Sequence, residues 1–532
     1  MTRPAHGIEH AAALVILGVV AAALLHWVPF SSTHMLTDDF LAGPGQSDAY
    51  TFLWGNWWAH TALTHGQSPY FCDWVLPPTG ADLRFHTVPW VTAFVTWPLS
   101  FFLPPVLLYN LSILGLIVGG AFVMYLGLRI TFEARFAVAV VFGALFGMCP
   151  YFLFKVHAHP NLVGSLFWGS AIAVLLHAAV HRSSAWKHVL LFGLAFWLCF
   201  WSSLVEWAML VVVVGGVTAA AVAFAGFRPA WRWLVPILVG APSLLLFRAA
   251  SGLEVPLFPP VPASRWLQFP VLSLFSDGGW PGMLPEYGGL GIPWGIGALG
   301  IFGLVREPDR RLRFLLGWIV AGLVVLTLDP FHVVSRAFRA APLGESMRVF
   351  ARFYPFALFF LVIAAARAVE GVLRKGGRRL ATAFVVVAIL VAAAETVPAD
   401  VHPERVVSLD LPAPVRASLD ESRWVMVFPA AARTYPRRRE AYQVELGMRF
   451  VQMGHLTRED PEARRVRART YPLFFGETPQ GGITPADLRA ELTRMSVGYI
   501  LLDRPELLPQ FPFPARVLHR TENEILLELA PD

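Results

Sequence analysis

Charge is scarce in this sequence, and so are cysteine and the short motifs that announce nucleotide or hydrolytic chemistry. Only 15% of the 532 residues are Asp, Glu, Lys or Arg, whereas 56% are hydrophobic. That balance excludes an ordinary soluble globular protein and marks an integral membrane protein. Three cysteines, Cys72, Cys149 and Cys199, are scattered along the chain and show neither metal-ligand spacing nor a disulfide framework. No Walker loop, no GxGxxG opening a helix, no HExxH and no GxSxG context occurs, so nucleotide-driven transport and serine hydrolysis have no support. Internal repeats and low-complexity tracts are also missing. The formal net charge of +6 sits mostly in short loops between hydrophobic runs. Membrane topology accounts for it there, and it argues for no nucleic-acid partner.

What is present is apolar length and aromatic surface. The 19 Trp and 41 Phe suit a protein with extensive bilayer interfaces. Runs able to cross a hydrocarbon core of about 30 Å lie near 11–30, 105–128, 136–154, 162–180, 188–203, 207–225, 233–247, 290–305, 314–330, 351–372 and 380–397. The first of these has no convincing small-residue cleavage site at its exit and reads as a retained helix rather than a removed leader. The stretch 88–104, VPWVTAFVTWPLSFFLP, is apolar but short and broken by prolines. Charge decides its reading. If it does not cross, Arg129 and Arg135 share one side with Arg182 and Lys187, with Arg228 and Arg232, with Arg306, Arg310, Arg311 and Arg313, and with Arg374, Lys375, Arg378 and Arg379. By the positive-inside rule that side is cytoplasmic. The expectation is therefore about 11 transmembrane helices, a cytoplasmic N-terminus, and an interfacial or re-entrant 88–104.

This topology places 31–87, the turn 155–161, the loop 248–289 and the segment 331–350 on the outer face. Domain boundaries follow: a transmembrane domain over 1–397, with 31–87 as its first extracytoplasmic loop carrying interfacial helices, and an outer domain over 398–532. In the outer domain charge becomes dense and spanning runs stop. Residues 422–430, 497–503, 515–521 and 522–529 read as strands. Residues 483–496 read as a helix with Thr484 as N-cap, Pro485 at its first position and Asp487 in its first turn. Helix followed by strand makes a small α/β module.

The chemistry-bearing residues gather in the outer segments. Asp48 follows the chain-breaking Gly43-Pro44-Gly45 and precedes an aromatic stretch. A carboxylate held there can take a proton from a hydroxyl as general base. It can equally be an N-cap or a solvated loop acid. Asp38 and Asp39, adjacent acids past the first span, read as solvent-facing or capping residues, with the catalytic role as their alternative. His157, His159 and Asn161 sit at the outer end of one span. The two histidines offer part of a metal site, but spacing fixes no third ligand, and interfacial hydrogen bonding is the plainer use. Glu206 in WSSLVEW is an acid at membrane depth, costly unless paired or functional. Glu286 and Tyr287 stand just before the chain re-enters the membrane at 290. Arg348 and Arg352 run against the charge trend by lying outside. A lipid phosphate gripped by a guanidinium is one account of them, a snorkelling side chain the other. Arg84 and Lys155 are lesser candidates for the same task.

Taken together, SDAYTFLWGNWWAHTAL, VLPPTGADL, LPPVLLYNLSILG, CPYFLFKVHAHPNL, LPEYGGLGIP and RVFARFYPFALFF, followed by an α/β tail, resemble the GT-C superfamily of integral-membrane glycosyltransferases. More narrowly, they resemble bacterial GT-C-like proteins of the inner (plasma) membrane with an extracytoplasmic C-terminal domain. The resemblance implies inverting transfer of a sugar from a polyprenyl-phosphate donor to an extracytoplasmic glycan, lipid or protein acceptor in the cell envelope. It carries the catalytic-acid role onto Asp48 and suggests that His159 lines the cavity. No cofactor is implied with certainty, and a divalent cation stays open. Many GT-C enzymes carry a DE or DxD pair in this loop, whereas Asp48 is followed by Ala49; Asp38-Asp39 is the nearest pair. Two rivals remain: a non-catalytic GT-C-like scaffold, and a lipid-linked sugar transporter. Ionisable residues in mid-span, which a transporter pathway calls for, are scarce here.

Overall fold

The computed structural model describes residues 4–37, 47–75, 80–83, 88–183, 185–226, 233, 235, 240, 293–328, 350–374, 379–396, 403–406, 411–420, 422–428, 442–444, 446, 448–450, 485–494, 496–502, 508, 514–521 and 524–529. Contacts divide the chain into two units, one formed by Met1–Pro29 and Leu111–Val401, the other by Phe30–Asn110 and His402–Asp532. The sequence reading grouped 31–87 with the membrane region. The structure instead packs that loop with the C-terminal segment, for reasons visible in their hydrogen bonds.

The first unit is helical. Its elements are α1 (Pro4–Leu24), most of a helix that begins at Pro105, α5 (Phe136–Gly147), α6 (Pro150–Ala158), α7 (Ser165–Val180), α8 (Trp186–Ser202), α9 (Leu204–Ala225), α10 (Trp294–Arg306), α11 (Arg310–Leu328), α12 (Tyr354–Arg374) and α13 (Arg379–Thr396). The helix from Pro105, α4, runs to Leu126 and continues as a π-turn through Thr131. Helix is the expected state, since an apolar segment in lipid must satisfy its own backbone. Helices thus occupy ten of the eleven apolar runs, while most of 233–247 lies outside the described residues. Among the described residues five helices are long and apolar enough to cross a membrane, and six if α5 and α6, bent by 42°, form one broken span. Pro150 supplies the break, because its ring opposes a continuous helix. The protein is a multi-pass membrane protein.

Packing in this unit depends on small residues. A Cβ on Gly303 of α10 would collide with the Ala364 carbonyl of α12, and one on Gly295 with the Ala388 carbonyl of α13. Such close backbone approach is how membrane helices associate when lipid removes the hydrophobic drive between them. Phe146, Trp168, Phe356 and Phe359 fill the centre, with the Trp168 and Phe356 rings 4.3 Å apart.

One end of the unit is basic and tied by ion pairs. Arg129 reaches Glu9 at 2.5 Å, and His10 meets the Tyr125 hydroxyl at 3.0 Å. Glu370 accepts from the Arg135 backbone N–H at 3.0 Å and from Arg374 at 3.0 Å. Arg367 pairs with the buried Glu307, whose carbonyl also accepts from Arg313 at 3.0 Å. The loops around 129–135, 307–313 and 367–374 are thus tied at this end, while Arg228 and Arg232 lie outside the described residues. The start of α1 and the end of α4 meet too, and the chain between them includes the segment 88–104. That segment is a 7-residue helix, α3 (Trp90–Thr96), and a 3₁₀ turn Trp97–Phe101. At 1.5 Å per residue the helix spans only about 10 Å.

The second unit is built on a helix and a sheet. Helix α2 (Ala49–Thr64) buries every residue from Ala49 to His60. The sequence suggested an interfacial helix here; the structure surrounds it with protein on all sides. Strand β1 (His34–Leu36) pairs antiparallel with β4 (Pro403–Arg405), His34 opposite Arg405. A small ladder joins β2 (Phe71–Cys72) to β3 (Ala81–Asp82). Gln443, fully buried, accepts from the Trp54 indole at 2.9 Å and donates to the Trp74 and Met448 carbonyls at 3.1 and 3.0 Å. These bonds fasten the first loop to the tail. The tail forms a five-stranded sheet of β5 (Trp424–Phe428), β6 (Arg449–Phe450), β7 (Val497–Leu502), β8 (Ala515–Arg520) and β9 (Ile525–Leu529), ordered β6-β5-β7-β9-β8. Strand β7 is parallel to β5 and antiparallel to β9. Its alternation puts Tyr499 and Leu501 in one apolar cluster, Ile500 and Leu502 in the other. Between β6 and β7 the chain forms α15 (Pro485–Arg494), following the single-turn α14 (Ala413–Ala417) before β5. The strands and helix expected in the tail are all found, Pro485 being the first residue of α15. Thr484 lies outside the described residues.

Candidate functional site

The end of the membrane unit away from the ion-paired loops gathers several of the polar residues that the sequence singled out. Helix α6 ends at Ala158, and His159, Pro160, Asn161 and Leu162 turn the chain into α7. Lys155 on α6 is buried, its ammonium 5.7 Å from the Tyr151 ring and 5.3 Å from the Phe154 ring, in cation–π range. His157 donates from Nδ1 to the Leu153 carbonyl at 2.8 Å, a bond within its own helix that fixes the ring. His159 is half-buried, its backbone N–H donating to the Lys155 carbonyl at 2.7 Å. Asn161 is buried, and its Oδ1 has no hydrogen bond among the described residues.

Glu206 is positioned by a break between α8 and α9. Ser203 leaves the helical conformation and caps α9, its hydroxyl accepting from the Glu206 N–H at 3.3 Å. The Glu206 side chain turns toward α7, where Oε1 accepts from the Gly164 N–H at 3.2 Å. A Cβ on residue 164 would strike that carboxylate, so glycine is required there. Oε2 is buried without a hydrogen bond among the described residues, and the Trp168 indole faces it without closing to bonding distance. Arg352, in the 3₁₀ turn Phe350–Phe353 leading into α12, acts electrostatically on both Glu206 and Tyr151. The Tyr151 and Tyr354 rings stand 5.6 Å apart. Lys155 thus stands over the Tyr151 ring, with Glu206 and Arg352 within electrostatic reach of that tyrosine and the turn His157–Asn161 next along the chain. One carboxylate among two cations leaves a net positive, partly dry environment suited to a phosphate group.

In the second unit Asp48 stands at the head of α2 and is partly exposed. Its carbonyl begins the helix by accepting from the Phe52 N–H at 3.2 Å, while its side chain makes no capping bond. The capping explanation offered by the sequence therefore does not hold at the side chain. Ser47 takes part of that role, its hydroxyl accepting from the Ala49 N–H at 3.2 Å. Nearby in the same helix, buried His60 donates from Nε2 to the Ala93 carbonyl at 2.9 Å, and burial lowers its pKa to about 4. It is a neutral structural group. Asp38, Asp39, Arg84, Arg348, Glu286 and Tyr287 lie outside the described residues.

The sequence reading passed over Gly164, Trp168, Tyr151 and Tyr354. Tyr151 lies within CPYFLFKVHAHPNL and was accessible to inspection, but Gly164 carries no pattern and becomes meaningful only once Glu206 is seen against it. Among the described residues no group of three or more His, Cys, Asp or Glu is arranged to hold a metal ion.

No family model matches the sequence, and no characterised protein matches it by sequence. Its fold does match solved structures. Arabinofuranosyltransferase AftD from Mycobacteria aligns over 98% of this chain with a TM-score of 0.56 at 14% identity, and the chain covers 40% of AftD. The archaeal oligosaccharyltransferase AglB from Archaeoglobus fulgidus, solved with an inhibitory peptide and a dolichol-phosphate, aligns over 94% of the chain and 69% of its own length at TM-score 0.49 and 11% identity. ArnT from Cupriavidus metallidurans covers 98% and is itself covered fully, at TM-score 0.43 and 14% identity. The AftD likeness extends through both units and shows a fold shared with that arabinofuranosyltransferase. The chain spans about two-fifths of AftD's length.

Proposed function

We propose that this protein is a membrane glycosyltransferase that moves a sugar from a polyprenyl-phosphate donor to an extracytoplasmic glycan, lipid or protein acceptor. One observation carries the reading: a fold shared with the arabinofuranosyltransferase AftD over 98% of the chain, with Lys155 and Glu206 buried at one end of its helical unit. In this reading the Asp48 carboxylate takes the proton of the acceptor hydroxyl. The hydroxyl oxygen attacks the anomeric carbon, the bond from that carbon to the phosphate oxygen breaks, and polyprenyl phosphate departs with the electron pair. Displacement from the opposite face inverts the anomeric centre. Arg352 and Lys155, with Arg348 as a further candidate, bear the negative charge that grows on the leaving phosphate. Glu206 accepts from the Gly164 N–H and lies within electrostatic reach of Arg352, whose positive charge it complements before the donor arrives. His157, His159 and Asn161, and from the sequence Arg84, Glu286 and Tyr287, are assigned to the donor and acceptor walls. The N-terminus and the ion-paired loops are assigned to the cytoplasm of a bacterial inner membrane, and the tail to its outside.

The lipid itself provides the test. Purified protein should retain polyprenyl phosphate detectable by mass, and Arg352→Ala should lower its occupancy. Losing one charge-assisted hydrogen bond costs roughly 1.5–3 kcal/mol, about ten- to a hundred-fold in affinity. Unchanged occupancy in Arg352→Ala and Lys155→Ala would remove the phosphate assignment. A protein that neither retains nor binds any polyprenyl phosphate would favour the scaffold reading.

A further inference from the structure

At the ion-paired end of the membrane unit, three histidines cluster in a place that the proposed reaction does not use. His177 lies in the last turn of α7, His181 ends that helix, and His188 is in the first turn of α8. The His177 ring centroid is 4.4 Å from that of His181 and 5.1 Å from that of His188. Hydroxyl groups steady two of them: Thr131 stands 3.3 Å from His177 Nδ1, and Ser183 stands 3.1 Å from His188 Nδ1. Between the helices Arg182 adopts a left-handed φ of 50°, and the Ser183 N–H returns to the Ala178 carbonyl at 2.9 Å. This is the turn that commonly ends a helix.

The charge here is unlike that of its surroundings. Segment 181–188, HRSSAWKH, holds Arg182 and Lys187 and no acid. Several other cations at this end are matched by carboxylates, Arg129 by Glu9, Arg135 and Arg374 by Glu370, and Arg367 by Glu307. Among the described residues no carboxylate pairs with Arg182 or Lys187. Immediately beyond, α8 leaves Leu190 65% and Leu194 59% exposed, with Leu191 and Trp186 exposed between and beside them. A metal is not the ligand that fits, since the described His, Cys, Asp and Glu side chains form no metal-holding group.

We propose that the α7–α8 turn binds the headgroup of an anionic phospholipid. The phosphate sits on the Arg182 and Lys187 cations and the imidazole N–H donors, and the acyl chains run along the exposed leucines of α8. Two independent features point to this occupant. Cations at the water–membrane boundary, here with no carboxylate partner among the described residues, attract anionic headgroups, and an apolar helix strip starting at the same turn supplies the surface that acyl chains cover. A free phosphate would use only the first feature.

The experiment uses the full chain in nanodiscs of mixed phosphatidylglycerol and phosphatidylcholine, followed by native mass spectrometry of retained lipid. The parent should keep phosphatidylglycerol in preference to phosphatidylcholine. Arg182→Gln combined with Lys187→Gln, and separately His181→Gln with His188→Gln, should lower that occupancy at least ten-fold. Arg310→Gln with Arg311→Gln removes the same charge from another turn and should leave it unchanged. Elution volume and melting temperature identify folded variants, and His181→Gln alone, at an exposed position, serves if a double variant misfolds. Equal retention by the parent and the Arg182/Lys187 variant would overturn the proposal. So would an equal loss in the Arg310/Arg311 control, which makes bulk charge the cause, or displacement of the lipid by millimolar inorganic phosphate. Mass separates phosphatidylglycerol from polyprenyl phosphate, so the outcome does not depend on the proposed reaction.

Discussion

His60 shows how far a residue's role depends on what surrounds it. In the sequence it is one histidine among several in an aromatic stretch. In the structure it is buried in α2, donates to the Ala93 carbonyl, and has its pKa lowered to about 4 by desolvation. The unfolded chain, with an ordinary histidine pKa near 6.5, binds a proton that the folded chain refuses between these values, so stability should rise with pH across that window and fall as pH drops toward 4. At about 1.4 kcal/mol per unit the effect amounts to roughly 3 kcal/mol. Thermal unfolding at pH 4.5 and pH 7 should therefore differ less in His60→Gln than in the parent; an identical pH dependence would contradict it. Gln443 makes a second test at this scale. Gln443→Leu strands the Trp54 indole and two carbonyls in a buried site, and an unsatisfied buried group costs about 1–3 kcal/mol. The variant should unfold at a clearly lower temperature, whereas an unchanged midpoint would mean that these bonds contribute little. Glu206 was legible as an acid at membrane depth because burial of such a group always calls for a reason. Its partner Gly164 was not, because a backbone N–H carries no sequence signature.

Among elements, those whose signal is local were legible. The strands β5, β7, β8 and β9 and helix α15 follow from alternation, turn residues and a proline at a helix start. The failure at α2 is instructive. Its tryptophans look like an interfacial belt in one dimension, yet Trp54 and Trp58 are fully buried, and Trp58 donates to the Pro69 carbonyl at 3.1 Å. Composition cannot distinguish a ring lying in a headgroup layer from one packed under another loop. Helix α10 carries the third prediction. Gly303→Val would drive a side chain into the Ala364 carbonyl of α12, and overpacking of this kind costs about 1–3 kcal/mol. Detergent-solubilised protein should show a lower melting temperature, while Gly317→Val on α11, where a Cβ meets nothing, should not. Equal melting of the two variants would show that the α10–α12 contact is not tight.

For the whole molecule, charge told more than hydropathy. The basic loops predicted to share a side are joined by Glu9–Arg129, Arg135–Glu370–Arg374 and Glu307–Arg367. The pairing of the first loop with the tail through β1 and β4 was beyond reach, since three-residue strands whose central partners lie 369 positions apart (404 less 35) leave no pattern. The topology predicts that cysteines placed at Arg306 and at Arg516 label from opposite sides of the membrane. Native Cys72, Cys149 and Cys199 are buried and should give little background; labelling of both sites from one side would contradict the arrangement. The most direct test of the account compares the parent with Asp48→Asn in nanodiscs, measuring transfer from a panel of polyprenyl-phosphate sugars. The substitution keeps the size of the side chain and leaves the backbone bond that starts α2 intact, so folding should persist. Removing a general base typically lowers the rate by about 10²–10⁴-fold, and a fall of that size is expected, with Asp38→Asn and Asp39→Asn close to the parent. Near-parental transfer by folded Asp48→Asn would contradict the account.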